Sequence, residues 1–175
     1  MNYRWRVHGF AIAGERNMAD SDQELRLGGR HILSLNQLRG VPPTVRRNLK
    51  LYRINTCAQL LLAVGDAQAR AALLETTGID EDVLLRLVQR ADIARIRGIG
   101  TVFGLMLEEL GVFDVEQLAR QTPAVLHAAL RNYNLEEQLA RRSPTMEEVV
   151  EWIDTAQSLP VVVTYASGAE PTRED

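Results

Sequence analysis

The strongest constraint on the fold is a stretch of sequence written twice. LNQLRGVPPTVRRNLKLYRINT begins at Leu35, and IARIRGIGTVFGLMLEELGVFD begins at Ile93. Gly40 aligns with Gly98, Leu49 with Leu107, Ile54 with Val112, Thr56 with Asp114 and Leu60 with Leu118, each pair 58 residues apart. After a one-residue slip, AAL at 71–73 answers AAL at 128–130. A duplicated unit of this length implies two supersecondary copies, each covering apolar surface that the other cannot bury alone.

Apolar residues recur at helical spacing nearly everywhere, so the expected fold class is all-α. Helix starts are marked by Thr56, Asp66, Asp80, Asp114, Thr122 before Pro123, and Ser143 before Pro144. Gly65, Gly78 and Gly111 stand where helices should stop. The stretch from Asp80 to Ile96 is expected to be the longest helix and to bridge the two copies. PTMEEVVEWIDTAQSL reads as the last, amphipathic helix. The VVVTY run at 161–165 reads as an exposed strand or as part of a polar tail. The expected organisation is an N-terminal extension over 1–31, a basic first unit over 32–92, an acidic second unit over 93–159 and a tail over 160–175. Met18 is an alternative start for the extension.

Each unit opens with apolar residues flanking a glycine turn: Gly40, Val41 and Pro42 in the first, and Gly98, Ile99 and Gly100 in the second. This looks like the helix-hairpin-helix motif. The glycines permit a tight turn between steeply crossed helices. Gly98 or Gly100 is therefore expected to hold a conformation costly to other residues, and Ile99 to point into the core. The helix after such a turn presents unpaired N–H groups and the positive end of its dipole, which favours anions. Beyond the motif, GIG, the later GV turn, the Pro-started helix and RRSPTMEEVVEWIDTAQSL resemble a bacterial and archaeal domain-of-unknown-function family built from tandem helix-hairpin-helix units. The resemblance runs from about Ile32 to Leu159. It implies a helical fold and, from the motif, sequence-independent contact with nucleic-acid backbones, although many copies of the motif serve only as packing units.

Charge is also divided unevenly along the chain. Residues 25–65 hold seven bases and no acid, whereas residues 66–175 hold ten arginines and nineteen acids. A basic first third on a protein of net charge −3 points to an anionic partner for that third. Arg46, Lys50 and Arg53 fall at i, i+4 and i+7 on the helix after the first turn, with Arg47 beside them. Val45, Leu49 and Tyr52 are expected on its buried side. Pro42 and Pro43 have no N–H to offer, so binding there would rest on side chains. The second turn has the better glycines, flanked by Arg95 and Arg97, but Glu108 and Glu109 follow. Exchanging those two for lysine is expected to strengthen binding. The candidate nucleic-acid contacts are Arg39, Arg46, Arg47, Lys50, Arg53, Arg95 and Arg97.

Catalysis has little support. His8, His31 and His127 are scattered without ligand spacing, so no metal is expected. Cys57 is the only cysteine, which excludes disulfides within the chain, and it reads as a small buried apolar residue. Lys50 is the only lysine, and no acid accompanies it for Schiff-base chemistry. No cofactor, membrane span or signal sequence is expected, and the cytoplasm is the default location. Aromatic residues make up 5% of the chain, too few for base-stacking platforms. The expected function is non-enzymatic binding of a DNA or RNA backbone. The alternative is a protein partner or self-association.

Overall fold

The computed structural model describes residues 33–38, 40–65 and 67–163. The N-terminal extension with His8 and His31, Arg39, the Asp66 cap and the end of the 161–165 run lie outside these residues. The fold is all-α. Among the described residues, a 3-10 turn at Leu35–Gln37 precedes eight α-helices. They are α1 Pro43–Leu51, α2 Cys57–Ala63, α3 Ala67–Thr77, α4 Glu81–Ile93, α5 Thr101–Glu109, α6 Val115–Ala119, α7 Pro123–Glu137 and α8 Met146–Ser158.

Local chemistry explains most of these starts. Thr56 caps α2 in a reciprocal box with Gln59, Asp80 caps Val83, and Asp114 caps Gln117. The last helix starts later than expected. Its cap is Thr145, not Ser143, because Thr145 and Glu148 close a capping box while Arg142 forks onto Glu148 at 2.6 Å through both Nη atoms. The Arg142 guanidinium, helped by the Thr145 N–H, holds the Glu148 carboxyl down at about 2. Nor is α4 the longest helix. It stops at Ile93 and tightens into i→i+3 turns at Arg95 and Ile96, leaving α7 longer at fifteen residues.

The two aligned segments share their helix starts from α1 and α5 onward, although the first opens with the 3-10 turn and the second with the end of α4. α1 and α5 are nine residues each and start 58 positions apart, as do the starts of α2 and α6. The Ile54 N–H donates to the Leu49 carbonyl at 3.0 Å, and the Val112 N–H donates to Leu107 at 2.8 Å. Positive φ recurs at Gly40 and Gly98, and again at Arg53 and Gly111.

Two apolar cores result. Leu49, Leu60, Leu61, Leu84 and Val88 centre the first, and Leu107, Leu118, Leu130, Val149 and Trp152 the second. α2 packs on α4 and α6 on α8, while α7 covers α5 and α8. α4 joins the cores: its Leu84, Leu87, Val88 and Ala91 face the first, and Ile93 at its end enters the second. The segment read as a tail begins by packing. Val163 is buried in the first core, and no strand forms at 161–163.

Candidate nucleic-acid interface

α1 sits on the first core through Val45 and Leu49. Its start is fixed by Pro42 as N-cap and Pro43 at the first helical position, so no side chain caps it. Two contacts from α1 hold it to the end of α3. Asn48 Nδ2 donates to the Thr77 carbonyl at 3.1 Å, and the Tyr52 hydroxyl to Thr76 at 3.0 Å. Tyr52 is thus not a core residue. It stays 38% exposed because its hydroxyl reaches outward across the helix ends.

The cations of this segment divide. Arg47, Lys50 and Arg53 are exposed, whereas Arg46 is half-buried and leans back so that Nη2 donates to the Val41 carbonyl at 3.4 Å. Arg53 lies two residues past the helix end at φ 61°, so it continues the stripe from a left-handed turn rather than from the helix. Among the described residues, none of these four cations joins an ion pair.

The second turn is built around Gly98, which has φ +90°. A Cβ there would lie 2.8 Å from Trp152 Nε1, so the turn can come this close to the N–H edge of the indole only because the residue is glycine. Ile99 is buried, as expected. Gly100 is the uncapped N-cap of α5 at φ −83°, an ordinary extended conformation. The Thr101 hydroxyl donates to the Gln37 carbonyl at 2.7 Å, which seats the start of α5 against the 3-10 turn before Gly40. The two turns are therefore neighbours. A cleft between α4 and α5 opens beside them, lined in part by Leu38, Arg86, Gln89, Gly100 and Thr101. Arg97 is exposed at the second turn.

Arg95 does not belong with these cations. It is 4% exposed, and its guanidinium holds Asp92 at 2.8 Å and the Pro160 carbonyl at 2.8 Å. The other oxygen of Asp92 accepts the Val115 N–H at 3.2 Å, beside the Asp114 cap of the same helix. Burial pushes the Asp114 carboxyl up, against the pull of the Gln117 N–H. Arg95 is thus the counter-ion of the buried Asp92, whose carboxylate reaches the start of α6 beside Asp114, and no phosphate can reach it.

Glu108 also has a different task from the one its position suggests. It accepts from Arg90 Nε at 2.7 Å and from Nη2 at 2.8 Å, a fork that fixes α5 to α4. Arg90 Nη1 comes within 2.6 Å of where a Gly40 Cβ would be, so this ion pair also supports the first turn. Glu108→Lys is therefore expected to cost about 1–3 kcal/mol, by removing charged hydrogen bonds and setting like charges together. Glu109→Lys, on the exposed side, should leave stability nearly unchanged. Urea unfolding of the two single variants reads the difference.

Burial pushes the Cys57 thiol up to about 12, which leaves it unreactive at neutral pH. Among the described residues no group of histidine, cysteine and carboxylate side chains could hold a metal, and no helix is long and apolar enough to cross a membrane. Trp152, Arg90 and the Asp92–Arg95 pair escaped the sequence reading as supports of the turns. Only the i, i+3 spacing of Asp92 and Arg95 signalled any of them.

These features define an all-helical protein with two adjoining glycine turns and one exposed basic face. The chain belongs to the family described as a domain of unknown function, DUF4332, which matches residues 39–159. No curated protein and no solved structure matches it.

Proposed function

We propose that the chain is a non-enzymatic protein of two tandem helix-hairpin-helix units that binds the backbone of DNA weakly and without regard to sequence. Arg47, Lys50 and Arg53 make the main contact, Arg97 adds to it from the second turn, and Arg46 stands at the margin. One observation carries this reading. Arg46, Arg47, Lys50 and Arg53 gather on α1 and its end without an ion pair among the described residues, whereas the other exposed arginines without one, Arg86, Arg97, Arg131 and Arg141, are spread singly over other segments. Unmatched cations on one face supply the counterion-release term that dominates sequence-neutral binding. The shared 58-residue spacing of helix starts and caps supports the two-unit description.

A protein partner is the second reading, favoured by Pro42 and Pro43, which remove amides that a phosphate would use. Affinity for a random duplex across a salt series separates the two. Wild type should bind at low salt and weaken steeply as salt rises. Arg47→Glu/Lys50→Glu/Arg53→Glu should lose binding while circular dichroism stays unchanged, because Val45 and Leu49 are untouched. A triple variant that binds as well as wild type would place the site elsewhere. No binding by wild type at low salt would favour the protein partner.

A further inference from the structure

The basic face of α1 has an acidic counterpart on α8, which packs in the second core. On α8, Val149, Trp152, Ile153 and Ala156 are buried, which turns Glu147, Val150, Glu151 and Asp154 outward as one stripe. Among the described residues, none of these three carboxylates joins an ion pair, while Glu148 between them is engaged by Arg142. On α1, Arg47, Lys50 and Leu51 occupy the same i, i+3, i+4 pattern, with Arg53 beyond the helix end. Each stripe sets one aliphatic residue among its charges. Leu51 is 76% exposed and Val150 is 36% exposed. Contact with phosphate alone gives no role to so exposed a leucine, whereas a helix face carrying a matching valine does.

We propose that a second copy of this chain docks the acidic stripe of its α8 on the basic α1 face. Leu51 meets Val150 at the centre, and charges of opposite sign surround the contact. Arg47, Lys50 and Leu51 span about one turn of α1, so they fit against part of the two-turn stripe of α8, with Arg53 reaching on from the turn beyond the helix. The joined surfaces differ, so the contact is head-to-tail and a dimer retains one free α1 face and one free α8 face. Assembly therefore passes beyond a dimer as concentration rises. The contact is small and rich in charge, and it weakens with salt. It occupies the cations assigned above to the nucleic-acid backbone, so a duplex and a second copy compete. The self-docking itself does not depend on the nucleic-acid reading.

Sedimentation velocity of the full chain without nucleic acid tests this. The mean mass of wild type should rise with protein concentration at low salt and return to the monomer value at high salt. Arg47→Glu/Lys50→Glu should be monomeric, and so should Glu147→Lys/Glu151→Lys. An equimolar mixture of these two restores opposite charges at both kinds of contact and should associate again, which also shows that both variants are folded. Glu136→Lys/Glu137→Lys makes the same change in net charge on α7 and should associate like wild type. A wild type that stays monomeric throughout overturns self-docking and leaves the α8 stripe to a basic partner of another kind. A mixture that stays monomeric overturns it too, as does equal loss in the α7 variant. Duplex binding is read separately, so either idea can fail alone.

Discussion

Arg95→Met should lower the unfolding free energy by about 3–5 kcal/mol, the usual cost of removing one partner from a buried ion pair. Arg95 is 4% exposed, and the variant would leave its ion-pair partner Asp92, 5% exposed and beside the Asp114 carboxyl, without that cation. It would also release the Pro160 carbonyl, through which the chain after α8 is tied to the end of α4. Urea denaturation followed by circular dichroism reads the loss. Arg95→Met/Asp92→Leu should recover part of it, because a neutral pair no longer strands a charge. A single variant as stable as wild type would show that the buried pair contributes nothing net.

Gly98→Val should cost about 2–5 kcal/mol, combining strain at positive φ with overpacking. The φ of +90° is a conformation that a β-branched residue resists, and the new Cβ would lie 2.8 Å from Trp152 Nε1. Trp152 cannot withdraw easily, since it is 2% exposed and stacked at a tilt on Phe103 with ring centroids 5.3 Å apart. Gly100→Val should change stability by less than about 1 kcal/mol, because that glycine is extended and no atom lies within 4 Å of an added Cβ. Thermal melts of both variants decide. Similar losses in the two would mean that the strain is not confined to Gly98. The sequence alone left both glycines as candidates for the strained position, since each stands beside the same turn. Only the backbone geometry separates them.

The same division runs through the molecule. Helical class, the caps at Thr56, Asp80 and Asp114, and the burial of Leu49, Ile99 and Leu107 follow from spacing within a few residues. Local interactions of that kind are written in local sequence, so periodicity and capping chemistry determine them. The 58-residue offset belongs there too, because similar segments, with side-chain caps at the matching positions Thr56 and Asp114, start their helices at matching positions. What the tertiary structure decided is the fate of each charge. Arg95 and Arg53 both look like free cations near a turn, yet one is sealed beneath Pro160 and the other projects from a left-handed turn. Glu108 looks like an obstacle to phosphate until Arg90, eighteen residues earlier, is found forked onto it. A side chain's charge is local, but its partner is chosen by how α4, α5 and α8 pack. The energy of a charge depends on that partner and on its distance from water far more than on its neighbours in the chain.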